Sequence, residues 1–269
     1  MSIVTLTTDL GNRDHYVSAV KAAILSKSPS THVIDITHQV KPFDALEGAF
    51  HLRSVWNQFP LGTVHILGIL PEFAINRPQL CISHLGHFFL STDNGAVPFL
   101  FETEPEEVFE INLPQGDEWK FPLRGVYATA AAHLCRGGTP EFLGKKTGGI
   151  QVAPMVHPII GENQIRGHVI HIDHYGNVYT NISERLFRQH QAKRKFAVTF
   201  KRSGNEIQQI SDYYTDVPEG ERLAMFGSNG LLMIAINGGV KGHGGSAAQL
   251  FGLQAGDMVT VEYNGDQNR

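Results

Sequence analysis

The chain has 269 residues, 42% of them hydrophobic and 18% charged, enough for one large domain or two smaller ones with an ordinary core. Its formal net charge of −4 offers no basic face for nucleic acid and no Lys/Arg cluster for an anionic membrane surface. Cys81 and Cys135 match no metal spacing, the start "MSIVTLTTDL" carries no secretory signature, and no apolar run approaches ~18 residues, so a cytoplasmic protein with reduced thiols and no membrane span is expected.

"SIVTLTT" (2–8) predicts a strand that ends in Asp9, Leu10 and Gly11. Asp14 to about Lys27 predicts a helix with Asp14 as its cap. "THVIDIT" (31–37) reads as a second strand. Asp44 to about Trp56 reads as a second helix, capped by Asp44, with Leu46, Ala49, Phe50 and Leu52 in its core stripe. "GTVHILGIL" (62–70) is nearly all apolar, as in a strand covered on both faces. "LCIS", "HFFLST" and "EVFEINL" predict further strands, and the Ala-rich stretch from Val126 to Leu134 predicts a helix. The alternation predicts an α/β N-terminal domain with a mainly parallel sheet over residues 1–150.

The Gly- and Pro-rich stretch 137–158 reads as a connector. Beyond it, "HVIHID", "KFAVTF", "RLAMFGS", "LLMIAIN" and "MVTVEY" are β-like runs separated by turns, with few helix signals. They predict a C-terminal antiparallel β-barrel domain over residues 151–269.

In an open parallel sheet, ligands sit beyond the carboxyl ends of the strands. Asp9 ends the first strand and Leu70 to Arg77 follow the third, so both segments are candidates to line one crevice. An acceptor-only carboxylate there suits a ribose diol, a cation or an amine, and equally suits a turn cap. In "HIDHYGNVYTNIS" (171–183), Asp173 is a candidate for an ammonium, Tyr175 for a base face and Asn177 for an adenine edge; a hairpin turn with Tyr175 at its rim is the alternative. His168, His171 and His174 would be split between two faces by strand alternation, so no metal site is expected. "FGSNGLL" (226–232) offers Ser228 and exposed amides, as an anion nest or a plain hairpin turn. "INGGVKGHGGSAAQL" (236–250), with Lys241 and His243, fits neither the phosphate-loop nor the dinucleotide pattern and reads as an active-site flap or a surface insertion.

In order and spacing, "TTDLGNRDHYVSAVKAAI", "VIDITHQVKPFDALEGAFHL", "GTVHILGILPEFAINRP", "FFLSTDNGAVPFLF", "ATAAAHLCRGGTPEFLG", "IDHYGNVYTNI" and "GSNGLLMIAIN" resemble the S-adenosylmethionine (SAM) hydroxide adenosyltransferases, or SAM hydrolases, relatives of the SAM-dependent fluorinase and chlorinase. The resemblance implies an α/β domain followed by a β-barrel. It implies a homotrimer with SAM between the N-terminal domain of one subunit and the barrel of the next. SAM is then substrate, and no cofactor or metal is implied. Asp9 takes the place of the aspartate on the ribose hydroxyls, and Phe43 that of an aromatic beside the ribose. Asp173 lies near the methionine ammonium, Tyr175 stacks on adenine, Asn177 reads it, and Ser228 meets the methionine carboxylate. Asp14 and Asn237 join the implied substrate contacts.

The chemistry site departs from that pattern. Where the hydrolases carry "DPGVG" followed by arginines, this chain reads "LPEFAINRP": the aspartate becomes Leu70, and Arg77 remains as the catalytic candidate. Where they carry "FHGRD", this chain reads "FPLRG", so the histidine becomes Pro122, and Leu123 stands where the halogenases keep a small residue beside a halide. A sulfonium leaves as a neutral thioether and needs no acid, so the difficulty lies in holding and deprotonating water. Positioning supplies several kcal/mol, and a general base adds roughly 10²–10⁴-fold. Three readings follow: a slow SAM hydrolase with Arg77 polarising water and a base from elsewhere, such as His243; a non-catalytic SAM or adenosine binder; or adenosyl transfer with altered chemistry.

Overall fold

The computed structural model describes residues 2–72, 77–112, 116–154, 157–191, 194–201, 204, 206–240, 242 and 245–264. The chain divides into two compact units, Met1–Ala153 and Pro154–Arg269. Among the described residues no helix is long and apolar enough to cross a membrane.

The first unit is built on a seven-stranded sheet. Its strands are β1 (Ser2–Thr8), β2 (Thr31–Thr37), β3 (Val64–Gly68), β4 (Gln79–His84), β5 (His87–Thr92), β6 (Glu107–Ile111) and β7 (Gly144–Lys146). The spatial order is β2-β1-β3-β5-β4-β6-β7. The pairs β1–β2, β1–β3 and β3–β5 are parallel, and the pairs involving β4 and β7 are antiparallel. This is an α/β unit with a mainly parallel sheet. The β4–β5 hairpin turns on Leu85 and Gly86, both at positive φ (48° and 77°), the geometry that matches the right-handed twist of flanking strands.

Helices cover both faces, as the apolar run through β3 requires. On one face lie α1 (Tyr16–Lys27), with Val20 and Ile24 buried, and α3 (Ala128–Cys135). The alanines of α3 let its backbone lie close to Val4, Leu6, Val64 and Ile66. On the other face, α2 (Ala45–Arg53) approaches through Gly48, where a Cβ would come within 2.9 Å of Ile69. Asp44 caps α2 as expected, its Oδ1 accepting the Glu47 N–H at 3.0 Å, and the Glu47 carboxylate accepts the Lys41 N–H at 2.9 Å.

Several boundaries differ from the sequence reading. Asp14 is not the cap of α1: His15 takes that place, with no side-chain bond to the helix, and Asp14 lies exposed ahead of it. The helix after Asp44 ends at Arg53, and Trp56–Gln58 is a separate 3₁₀ turn. Helix α3 begins two residues late because Leu123–Tyr127 forms a π-helical turn, in which the Pro122 carbonyl accepts the Tyr127 N–H at 2.9 Å. Part of the expected connector is structured: Pro140–Phe142 is a 3₁₀ turn, and β7 pairs with β6.

The second unit is a nearly closed antiparallel barrel. Its strands are β8 (Ile159–Ile160), β9 (Gln164–Ile172), β10 (Val178–Ser183), β11 (Lys195–Phe200), β12 (Arg222–Phe226), β13 (Leu231–Ile236) and β14 (Met258–Asn264). The order is β11-β14-β9-β10-β13-β12, with β8 on β9. Single bridges from Ile207 to Val198 and from Ile210 to Ala224 carry one short segment across the gap between β11 and β12. Inward residues such as Val169, Val178, Val198, Leu232 and Val259 fill the interior. Two helices not expected from sequence complete the unit, α4 (Glu184–Gln191) and α5 (Ala247–Phe251). Polar α4 packs through Phe187, which is fully buried and whose carbonyl accepts the Tyr263 hydroxyl at 3.2 Å.

Candidate functional site

The first unit presents its polar groups at the carboxyl ends of β1, β3 and β5. Asp9 is half-buried just past β1, and its Oδ2 accepts the Phe43 N–H at 2.8 Å. It therefore braces the loop after β2 rather than capping its own turn. Phe43 sits at φ 69°, a conformation a phenylalanine rarely adopts, and exposes 65% of its surface. The Asp9 bond holds that strained residue in place, so carboxylate and ring stand together at the rim.

Beyond β3, Leu70 also has positive φ, 54°. Side chains hold the chain on both sides of it. Asn94 donates through Nδ2 to the Ile69 carbonyl at 3.3 Å, and Gln79 through Nε2 to the Pro71 carbonyl at 3.1 Å. The Gln79 Oε1 accepts the Thr92 hydroxyl at 3.1 Å and also the Tyr127 hydroxyl, and Thr92 and Tyr127 are 3.0 Å apart. All three residues are almost wholly buried. Arg77 is half-buried, and its guanidinium has no ion-pair or hydrogen-bond partner among the described residues. Pro122 is buried, and Leu123 packs directly over Gly68, where a Cβ would lie 2.4 Å from Leu123 Cδ2. Asp93, at the end of β5, is 5% exposed; burial raises its pKa against the Gln151 N–H, which donates to Oδ1 at 2.9 Å.

In the second unit, Asp173 and Asn177 form a closed turn between β9 and β10. Asp173 accepts the Asn177 N–H through Oδ1 and the Asn177 side-chain amide through Oδ2, each at 2.9 Å. Gly176, at φ 85°, lets the chain turn between them. The Asn177 Nδ2 also donates to the Tyr214 hydroxyl at 3.3 Å. These contacts fix the amide, leaving its oxygen as the acceptor for an amino group. Burial and then the Asp173 charge push the Tyr179 hydroxyl up to about 12, and the same two causes raise Tyr214. Tyr175 is 58% exposed and presents a ring face to solvent.

The Tyr179 ring packs against Gly227, where a Cβ would approach it to 2.9 Å. Gly227 opens the turn that carries Ser228 exposed at its tip, closed by the Gly230 N–H on the Gly227 carbonyl at 2.8 Å. Asn237 braces the segment ahead of β12. Its Nδ2 donates to the Val217 carbonyl at 2.8 Å, and its backbone bonds Gly220 and Glu221. Sequence reasoning missed Tyr179 and Tyr214. The first shares the Asn177 side of its strand at i+2, a usable signal; the second comes from a distant loop and leaves none. Lys241, His243 and residues 73–76 lie outside the described residues.

Models of the SAM hydroxide adenosyltransferase N-terminal and C-terminal domains match residues 4–144 and 167–260. The chain belongs to the SAM hydroxide adenosyltransferase family. It is 28% identical to the (R)-S-adenosyl-L-methionine hydrolase of Thermus thermophilus over 97% of this chain and 100% of that one. It is 32% identical to the enzyme of the same name from Methanocaldococcus jannaschii over 68% of each. A fluorinase from Nocardia brasiliensis is 25% identical over 97% of this chain and 96% of its own. Among solved structures, an uncharacterised conserved protein from Thermotoga maritima superposes with a TM-score of 0.79 at 28% identity, covering 97% of this chain and 99% of the other. The family thus includes both hydrolases and fluorinases, and the choice between them rests on local chemistry.

Proposed function

We propose that the protein hydrolyses SAM, as its (R)-configured sulfonium, to adenosine and methionine by attack of water at C5′. The observation that carries this reading is that a chain 28% identical to a named (R)-SAM hydrolase over 97% of its length forms the Asp9–Phe43 pair and the Asp173–Asn177 turn. Asp9 takes the ribose hydroxyls, and Asn177 reads the adenine edge while Tyr175 covers the ring. Asp173 supplies the charge for the methionine ammonium, and Ser228 meets the carboxylate. Asp14 and Asn237 belong to the outer part of the same substrate site. Arg77 orients and polarises the water.

Leu123 supports water rather than halide as nucleophile. Its buried side chain packs over Gly68 and takes up space that a desolvated anion would need. Incubation of the purified protein with SAM, with adenosine measured chromatographically and binding by calorimetry on the same sample, separates a hydrolase from a binder.

Asp9→Ala should weaken adenosine binding by roughly 1–3 kcal/mol, because it removes a charged acceptor and also releases the Phe43 N–H. Titration calorimetry giving an unchanged affinity would reject the ribose role. The same reading carries a closed homotrimer, since a site shared around a ring needs a head-to-tail interface that closes. Light scattering should return the mass of three chains; a monomer at micromolar concentration would contradict it.

A further inference from the structure

Removal of a proton from water at C5′ needs an acceptor, and Leu70 and Pro122 offer none. Two carboxylates among the described residues lie near the carboxyl ends of β3 and β5. Asp93 is buried and already accepts the Gln151 N–H. Glu72 is exposed and sits two residues beyond Leu70, on the segment braced by Asn94 at the Ile69 carbonyl and by Gln79 at the Pro71 carbonyl. A bond on each side of the left-handed Leu70 fixes the point from which Glu72 departs. The Gln79 bond to the Pro71 carbonyl sets the residue before Glu72 beside the Gln79–Thr92–Tyr127 network.

We propose that Glu72 is the general base of the reaction, held over the carboxyl ends of β3 and β5 by the buried Gln79–Thr92–Tyr127 network. The proposal rests on the reading of the chain as a SAM hydrolase. In the step, the water oxygen bonds to C5′ as the C5′–S bond breaks. The electron pair of that bond goes to sulfur, and methionine leaves as a neutral thioether. The water proton passes to the Glu72 carboxylate and then to solvent. The positive charge of the sulfonium thus ends as one released proton. A glutamate carries one methylene more than an aspartate, which lengthens its reach. Gln79 and Tyr127 are positioning residues: Gln79 touches the loop at the Pro71 carbonyl, and Tyr127 touches Gln79.

The test is Glu72→Gln, an isosteric change at an exposed position. It should lower kcat by roughly 10²–10⁴-fold with SAM affinity by calorimetry unchanged. The rise of kcat with pH on the acid side should vanish. Glu72→Asp should keep part of the rate, and added formate should restore part of it to Glu72→Gln. A Glu72→Gln enzyme with the wild-type rate and pH profile overturns the base assignment and leaves the hydrolase reading intact. A wild type that binds SAM and forms no adenosine overturns both.

Discussion

Arg77→Ala should lower the rate of adenosine formation by roughly 10²–10³-fold, the scale of removing one preorganised donor from an active site. Arg77 directly precedes Pro78, whose carbonyl accepts the Asp93 N–H at 2.8 Å, so its backbone is tied to the end of β5. Arg77 is half-buried and its guanidinium has no partner among the described residues, so its donors are open. Lysine at this position should recover little, because a single ammonium does not reproduce a planar fork. Steady-state kinetics check this: the loss should fall on kcat, with SAM affinity held by the Asp9 and Asp173 ends. Unaltered kcat in Arg77→Ala would move water activation wholly onto other groups.

The second large effect is on stability, and it comes from a group outside the candidate site. His65 is fully buried on β3, its Nδ1 2.8 Å from the Thr5 hydroxyl and its Nε2 3.2 Å from His87 Nδ1. The ring stacks on Phe89 with centroids 4.9 Å apart, and Trp56 packs edge-on against both His87 and Phe89. Burial, followed by the neighbouring His87, lowers the His65 pKa from 6.5 to about 3. Burial lowers His84 and His87 as well.

The native state therefore holds these rings neutral, while the unfolded chain takes up protons below 6.5. The stability is fully present above the unfolded pKa and is lost as pH falls toward the folded one. For His65 alone the loss between about pH 6.5 and about pH 4 is roughly 3 kcal/mol, at about 1.4 kcal/mol per unit. Urea unfolding across that range should show a decline in wild type that is shallower in His65→Gln by about one proton. Identical slopes in the two proteins would show that His65 stays solvated in the native state.

The fold was largely legible because its elements carry strong periodic signals. The nearly continuous apolar run through β3 demanded cover on both faces, and Asp44 announced α2 three residues before Glu47, whose N–H it accepts. What failed to show had local causes. The π turn at Leu123–Tyr127 has the composition of an ordinary helix start, and proline at its head fits either geometry. Helix α4 escaped because eight mostly polar residues expose one buried anchor, Phe187. Asp14 looked like a cap by residue type, but the chain enters α1 with His15 already in helical conformation.

The candidate site was legible as residues and much less so as contacts. Asp9, Asp173 and Asn177 could be singled out, yet the partners that orient them come from far along the chain: Phe43 for Asp9 and Tyr214 for Asn177. Glu72 was hidden for a different reason. Position 72 carries no signal of its own in the sequence, and the bracing by Asn94 and Gln79 shows where that segment is held.

Attack of water at C5′ of SAM underlies the roles given to Arg77, Glu72 and Leu123 alike. Turnover of SAM in heavy-oxygen water, followed by mass spectrometry of the products, decides whether it occurs. Adenosine should carry the heavy oxygen at its 5′-hydroxyl, and methionine should emerge unlabelled. Absence of adenosine from a sample shown by calorimetry to bind SAM, or adenosine without the label, would contradict water attack.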